Sequence, residues 1–221
     1  MCGRSSLHDA PVGVLARFEL PPHLPGFEPR YNIAPTQQQW AIALGRERRP
    51  MLASFRWGLI PSWASDPALG ARMINARSDS LASKPAWRDL VERRRCLVIA
   101  DGYYEWNGTG KSRAPYFFHL AGHGAFAMAA LWDRWSGGEE TVETCTIITV
   151  EATRLAATIH HRMPAIFSPD ASERWLHSAT STTQALALLA PYEKADLECY
   201  EVSRLVNTPA NDSPECIVPA A

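Results

Sequence analysis

The sequence is poor in three features that mark common protein classes: long hydrophobic runs, paired cysteines and lysine. Its apolar stretches fall far short of the roughly 20 residues that a membrane-spanning helix needs, so no membrane segment is expected. A secretory signal is not expected either, because the first residues lack a basic region followed by an apolar one. The cytoplasm is therefore the expected location.

The five cysteines lie far apart, and no two of them form a C-x-x-C pair. Zinc-ribbon and thioredoxin-like redox sites are therefore disfavoured, and neither a metal nor another cofactor is expected. In a reducing compartment such cysteines stay as thiols. Cys96 and Cys145 lie in apolar, strand-like runs, where we expect small buried side chains.

Lysine occurs only at positions 84, 111 and 194, so arginine supplies most of the basic charge. The formal net charge of −1 does not by itself indicate a nucleic-acid-binding protein. Arginines nevertheless concentrate in the first half, which includes the run Arg93-Arg94-Arg95. A guanidinium group matches the geometry of phosphate oxygens, although a solvated charged face is the ordinary interpretation of such a run.

Hydrophobic periodicity predicts many strands and a few short helices. Strands are expected over 39–44, 51–57, 96–100, 103–106, 116–120, 125–132, 144–150 and 198–202, and helices over 85–94, 154–157, 168–176 and 183–189. Because strands and helices do not alternate regularly, we predict one α+β domain over residues 1–221, with a strongly bent or barrel-like mixed sheet surrounded by short helices. The breakers and polar residues after 211 predict a loosely held tail over 211–221.

The first candidate for chemistry is Cys2. Removal of Met1 would leave one residue that carries both an α-amine and a thiol, with ordinary pKa values of about 8 and about 8.5. Such an aminothiol can trap an aldehyde as an imine that closes to a thiazolidine, or attack an amide with the amine as base. Taken alone, Met-Cys is also simply a start residue followed by a small one.

Glu105 lies among aromatic residues directly after an apolar strand. A carboxyl group there would be partly desolvated, which raises its pKa toward the range useful to a general acid or base. The alternative is a strand residue that faces solvent and pairs with an arginine.

The adjacent histidines His160 and His161 point in opposite directions if their segment is extended. One of them could then transfer a proton, or serve a structural role, while two histidines without a third ligand make a poor metal site. Asn75 and Arg77 are two residues apart, so on an extended stretch both face the same side. The broken segment that contains Trp57 and Trp63 forms either a core plug or a base-stacking surface.

Together these segments resemble the SRAP family, the SOS-response-associated peptidase or abasic-site-processing proteins. Six motifs occur in the family's order, over residues 2 to about 166: Met1-Cys2-Gly3-Arg4, 31–36 (YNIAPT), 56–63 (RWGLIPSW), 75–79 (NARSD), 101–106 (DGYYEW) and 160–164 (HHRMP). Asp79 departs from the family's usual glutamate, which shortens a structural contact.

The resemblance implies a protein that binds single-stranded DNA at an abasic site and forms a thiazolidine crosslink through Cys2. It implies that Asn75 positions Cys2, that Glu105 is the acid and base, and that His160 handles the proton of the opened sugar hydroxyl. AP-lyase activity and reversal of the crosslink are also implied. We expect a monomer that acts at the bacterial nucleoid, while the resemblance names no replication partner.

The same resemblance implies three arginines as contacts to DNA phosphates and one tryptophan as a wedge or stacking surface against bases. The arginines are Arg4, Arg77 and Arg162, and the tryptophan is Trp57.

Two other functions compete with this interpretation. An N-terminal-nucleophile amidohydrolase or cysteine peptidase would also use Cys2, but it leaves the motifs of Glu105 and His160 unexplained. A non-covalent single-stranded DNA-binding module would use the arginines and tryptophans without a nucleophile.

Overall fold

The computed structural model describes residues 2–110 and 113–220, and within them the chain forms two β-sheets with short helices around them. The strands are β1 Ser5–Leu7, β2 Arg30–Ile33, β3 Gln38–Leu44, β4 Pro50–Trp57, β5 Asn75–Arg77, β6 Arg95–Ala100, β7 Gly102–Asn107, β8 Ala114–Leu120, β9 Phe126–Trp135, β10 Val142–Glu151, β11 Arg162–Pro164, β12 Ile166–Phe167 and β13 Leu197–Glu201.

Five strands of the larger sheet close on themselves as a barrel. β3 pairs with β4 and β6, β9 joins β6 to β10, and β10 returns to β4 in parallel. β5 pairs with β10 beyond the end of β4, while β11 and β12 extend β10 and β9. The prediction of a barrel-like mixed sheet in an α+β fold is therefore confirmed.

The second sheet has the order β13-β8-β7-β1-β2 and carries the N-terminal segment of the chain. β1 lies between β2 and β7, with Ser5 opposite both Ile33 and Tyr103. The chain passes from one sheet to the other at Asp101, between β6 and β7. This sharp change of direction places the start of the chain beside β7.

The helices are short, as predicted: α1 Val12–Arg17, α2 Pro85–Arg93, α3 Arg154–Ala157, α4 Pro169–Leu176 and α5 Thr182–Ala187. Side chains of Thr153, Ser168 and Ser181 cap the last three. α4 covers the outside of the barrel, where Trp175 Nε1 donates to the carbonyl of Cys96 at 3.0 Å. β6 is thus buried along its whole length, in agreement with its continuous apolar run.

Most strands begin and end within three residues of the predicted bounds, and Cys96 and Cys145 are buried as predicted. The sequence did not predict β1 or β2, because three or four residues are too few to show periodicity. The hairpin turn predicted after Asn107 continues into residues 111–112, which lie outside the described residues. Among the described residues, every helix is too short or too polar to cross a lipid bilayer.

The prediction of a loosely held tail is wrong for residues 211–220. Asp212 accepts hydrogen bonds from the backbone nitrogens of Tyr31 at 2.6 Å and Asn32 at 2.9 Å, and it also pairs with Arg30. Cys216 is fully buried. These long-range contacts join the tail to β2, and sequence composition does not reveal them.

Replacing Asp212 with alanine should lower the free energy of unfolding by about 2 kcal/mol, because two backbone donors and one guanidinium lose a charged acceptor. Urea unfolding would measure the change. The matched control is Glu193→Ala, an exposed acidic position that should stay within about 0.5 kcal/mol of the wild type. Equal stability of the two variants would contradict a structural role for the tail.

Candidate active site

Cys2 lies three residues before β1 and is fully buried. The carbonyl of Arg4 accepts a hydrogen bond from the backbone nitrogen of Tyr104 at 3.0 Å, which extends the pairing of β1 with β7. From the other sheet, Asn75 Nδ2 donates to the carbonyl of Cys2 at 2.7 Å. The backbone of Cys2 is therefore held between the two sheets.

Asp101 anchors β1 from its far end. Its buried carboxylate accepts from Ser6 Oγ at 2.5 Å and from the backbone nitrogens of His8 at 2.5 Å and Asp9 at 3.0 Å. Sequence analysis treated Asp101 only as part of a bend and a motif. Its three acceptor contacts fix the register of β1 and hence the position of Cys2.

The thiol of Cys2 is protonated at neutral pH. Burial raises its pKa to about 12, and the nearby Glu105 carboxyl adds to that rise. Its Sγ lies 3.7 Å from the carbonyl oxygen of Arg4. In this environment the thiol is a weak initial nucleophile, because the thiolate is the reactive form.

Glu105 projects from β7 into the same interior, and only 2% of its surface is exposed. Burial raises its pKa, and the positive charge of Arg113 opposes part of that rise. The desolvated carboxyl that the aromatic surroundings indicated is confirmed, and the alternative of a solvent-facing residue is wrong. A carboxyl whose pKa is raised by burial is a candidate for a general acid or base.

His160 lies next to this carboxyl, with its Nδ1 3.9 Å from Glu105 Oε1. Desolvation lowers the pKa of His160, so the ring is neutral at pH 7. His160 Nδ1 lies 3.0 Å from the backbone nitrogen of Arg162 and 3.1 Å from its carbonyl oxygen. A proton on Nδ1 would be donated to that carbonyl, whereas a proton on Nε2 would leave Nδ1 to accept from the backbone nitrogen. In either tautomer the neutral ring carries one proton that it can donate.

The prediction that the two histidines point in opposite directions is wrong. A bend occurs at His161, and β11 begins only at Arg162. The two rings therefore stack, with centroids 4.3 Å apart and an interplanar angle of 30°. His161 is exposed and covers one face of His160.

The three predicted phosphate-binding arginines differ in their surroundings. Arg77 is exposed at the end of β5 and pairs with Asp79 through two hydrogen bonds, at 2.6 Å and 3.2 Å. Arg4 is half-buried, and its Nη1 donates to Asn32 Oδ1 at 2.7 Å and to the carbonyl of Val206 at 2.5 Å. Both remain predictions as DNA contacts.

Arg162 is almost fully buried in the wall of the site. Its Nη2 donates to the carbonyl of Thr149, and its Nη1 lies 4.0 Å from Asp79 Oδ2. Among the described residues, its buried Nε has no hydrogen-bond partner. An arginine that keeps an unsatisfied buried donor is suited to an anion that enters the site.

The prediction of a base-stacking surface at Trp57 is wrong. Its ring is fully buried, and its Nε1 donates to the carbonyl of Ile74 at 2.9 Å, so it belongs to the core. Trp63, six residues later, is 67% exposed. The two tryptophans are alike in sequence, and only the path of the broken segment distinguishes them.

Arg113 and Trp106 are site-flanking residues that sequence analysis missed as binding candidates. Trp106 follows Glu105, and guanidinium carbons of Arg4 and Arg113 lie 5.8 Å and 6.0 Å from its ring centroid. The only sequence signal was the aromatic neighbourhood of Glu105. In residues 2–110 and 113–220, no group of three or more His, Cys, Asp or Glu residues is placed to hold a metal ion.

The structure thus brings the buried thiol of Cys2, the buried carboxyl of Glu105 and the imidazole of His160 together beside a closed barrel. Residues 1–209 of the chain match the family model described as SOS response associated peptidase (SRAP). The chain belongs to that family.

Its relatives include "Abasic site processing protein YoaM" of Bacillus subtilis, 38% identical over 98% of this chain and 97% of that protein. "Abasic site processing protein HMCES" of Gallus gallus is 36% identical over 87% of this chain and 67% of that protein. A crystal structure of a Bacteroides thetaiotaomicron protein superposes with a TM-score of 0.87 at 26% identity, and the match covers both chains completely.

Proposed function

We propose that this protein senses abasic sites in single-stranded DNA and captures them covalently through Cys2 after Met1 is removed. The observation that carries the proposal is the placement of Cys2. Its carbonyl is held by Asn75, and its side chain lies in the same buried space as Glu105, which in turn lies 3.9 Å from His160. The printed names of the relatives, which refer to abasic sites, support the same substrate.

In the first step the ring-closed abasic sugar opens to its aldehyde. Glu105, as carboxylate, takes the proton of the C1 hydroxyl and passes it to the ring oxygen as the C1–O bond breaks, so the sugar hydroxyl forms and Glu105 is again a carboxylate. The Nε2–H tautomer of His160 hydrogen-bonds the ring oxygen during this transfer. Both groups lie within one buried space where charges are poorly solvated, so a positioned acid and base contribute strongly.

In the second step the α-amine of Cys2 attacks the aldehyde carbon. The amine nitrogen loses both of its protons, which Glu105 carries one after the other to the former aldehyde oxygen. That oxygen leaves as water, and an imine forms. The thiol sulfur then bonds to the same carbon, while its proton passes to the imine nitrogen and closes the thiazolidine. This order suits a thiol whose pKa is raised to about 12, since the amine and not the thiol makes the first attack.

The raised pKa of the thiol also argues against the peptidase and amidohydrolase alternatives, in which a thiolate must attack an amide directly. Glu105 further allows two reactions of the imine. It can return a proton for reversal of the crosslink, or accept the C2 proton in β-elimination, which cleaves the strand as an AP lyase does.

Positive groups around the site are suited to the phosphates on either side of the lesion. Arg162, with its unsatisfied buried Nε, would bind the phosphate nearest the captured sugar. Arg4, Arg77 and Arg113 would bind phosphates farther along the strand. The exposed Trp63 offers a ring on which an unpaired base can stack.

Intact-mass measurement tests the proposal. The purified protein should lack Met1, and incubation with single-stranded DNA bearing one abasic site should add the mass of the DNA minus one water. A processed protein that forms no adduct would contradict covalent capture. If it hydrolysed glutamine instead, the amidohydrolase alternative would be correct, whereas retention of reversible DNA binding alone would identify a binding module.

Arg77→Ala should weaken binding to undamaged single-stranded DNA and reduce the slope of log affinity against log salt by about 0.7. Fluorescence anisotropy over a range of salt concentrations would measure both quantities. Asp79→Asn is the matched control, because it removes the carboxylate that pairs with Arg77 and should strengthen binding. An unchanged slope in Arg77→Ala would rule out a phosphate contact at this residue.

A further inference from the structure

A cavity of about 700 Å³ opens at the end of the barrel away from Cys2. Strand β6 shows how far the cavity lies from the Cys2 site. Arg95, the first residue of β6, lines the cavity, and Ala100, its last residue, precedes Asp101, which anchors β1. A strand of six residues spans about 20 Å. Strand β10 runs in the same direction, from Glu143, which lines the cavity, to Thr149, which lies opposite Arg77 of β5.

Six arginines line this cavity, in a chain whose formal net charge is −1. They are Arg46, Arg48, Arg93, Arg94, Arg95 and Arg134, and they come from the β3–β4 turn, the end of α2 and the starts or ends of β6 and β9. Among the described residues, only two carboxylates, Glu92 and Glu143, share the lining. The cavity is therefore a local concentration of positive charge.

Not all of these guanidinium groups are engaged by the protein. Arg95 is buried and donates to four backbone carbonyls, and Arg134 pairs with Glu143 at 2.5 Å. Among the described residues, no carboxylate oxygen lies within 4.0 Å of a guanidinium nitrogen of Arg46, Arg48 or Arg94. These three are available to an external anion.

One wall of the cavity is planar and apolar. The guanidinium of Arg94 lies 4.3 Å from the ring centroid of Trp132, which in turn stacks on Phe55 with centroids 5.1 Å apart. Met51, 49% exposed, borders the same space. The outer face of such a stacked guanidinium is a platform for a flat aromatic ring.

The β3–β4 turn holds Arg48 in a backbone conformation that favours glycine. Its φ is +58°, and its nitrogen donates to the carbonyl of Gly45 at 3.0 Å. A three-residue hairpin turn normally places glycine at this left-handed position. An arginine there costs about 1 kcal/mol relative to glycine, and it adds a guanidinium group to the lining of the cavity.

We propose that this cavity is a second binding site, which takes a nucleoside phosphate. The phosphate would be bound by Arg46 and Arg48, and the base would stack on the guanidinium of Arg94 beside Met51. The cavity volume is within the range of sites for ligands of this size. The ligand is either a free nucleotide or one unit of a single strand, and its binding requires neither Cys2 nor an abasic site.

Calorimetric titration of the full chain with AMP and with inorganic phosphate at low ionic strength tests the proposal. AMP should bind the wild type more tightly than phosphate does. Arg48→Gly should lower the affinity for AMP about tenfold or more, since a charge-assisted contact is lost. The same variant relaxes the turn and should melt no lower than the wild type, so a loss of binding would not reflect unfolding.

Arg88→Gln, on the same helix α2 but outside the cavity lining, is the matched control and should leave AMP affinity unchanged. Absence of AMP binding would overturn the proposal, and so would wild-type affinity for AMP in both Arg48→Gly and Arg46→Gln. Phosphate binding as tight as AMP binding would overturn the role of the base. Displacement of AMP by undamaged oligothymidylate would identify a strand as the source, and lack of displacement a free nucleotide.

Cys2→Ala should bind AMP like the wild type, so the AMP-binding test does not depend on the crosslinking proposal. If AMP did not bind the cavity, the proposal of covalent capture through Cys2 would be unaffected. Conversely, loss of crosslinking with retained AMP binding would leave the second site intact.

Discussion

Cys2→Ala should abolish the stable crosslink to abasic single-stranded DNA. The alanine that follows Met1 removal keeps an α-amine but has no sulfur to close a thiazolidine, so the reaction stops at the reversible imine. Wild-type protein should give an adduct that survives denaturation without a reductant, and the variant should give none. Denaturing gel electrophoresis and intact mass would measure the difference.

Borohydride provides the matched control for this prediction. It reduces an imine to a stable secondary amine, so it should restore a covalent adduct in Cys2→Ala. Trapped adduct in the variant would show that the amine attacks first and that the fold is intact. A stable adduct in the variant without borohydride would contradict the thiazolidine, and another nucleophile would have to be sought.

Glu105→Gln should slow crosslink formation by about 100-fold or more, the usual contribution of a positioned acid and base. The substitution keeps the size of the side chain but cannot exchange the proton of the C1 hydroxyl. Glu198→Gln, an exposed position on β13, is the matched control and should react at the wild-type rate. Single-turnover kinetics at saturating DNA would measure the chemical step.

The pH dependence gives a second test of Glu105. Below the α-amine pKa of about 8, the rate should fall tenfold per pH unit in both proteins, because only the neutral amine attacks. Burial raises the pKa of Glu105, and the carboxylate is the required form. The wild-type slope should therefore steepen as the pH falls through that raised pKa, and the slope of Glu105→Gln should not. A variant profile parallel to the wild type throughout would exclude Glu105 as the base.

Local patterns predicted much of this protein correctly. The continuous apolar run of β6 depends on neighbouring residues, and its bounds agree with the structure. The motifs around Cys2, Glu105 and His160 likewise identified the family without any tertiary information. These features are local because they depend on backbone preference and on the chemistry of a few adjacent side chains.

The burial of those side chains, and the pKa shifts that follow from it, depend on the tertiary structure alone. Burial raises the pKa of Cys2 and Glu105, and burial depends on β1 lying against β7 and on Asn75 approaching from the other sheet. The bend at His161 and the burial of Trp57 could not be read from residue type, because both depend on the path of the chain through the fold.

For the same physical reason, the contacts of the tail and the clustering of arginines in the cavity could not be predicted from the sequence. Asp212 is an ordinary polar residue until β2 presents two backbone donors to it, some 180 residues away in the chain. The arginines of the cavity lie in three separate segments, each of which resembles a solvated surface. By itself the sequence determined most of the longer strands and the family to which the chain belongs. Closure of the barrel decided which side chains come into contact, because contacts between distant segments depend on the topology of the fold and not on local composition.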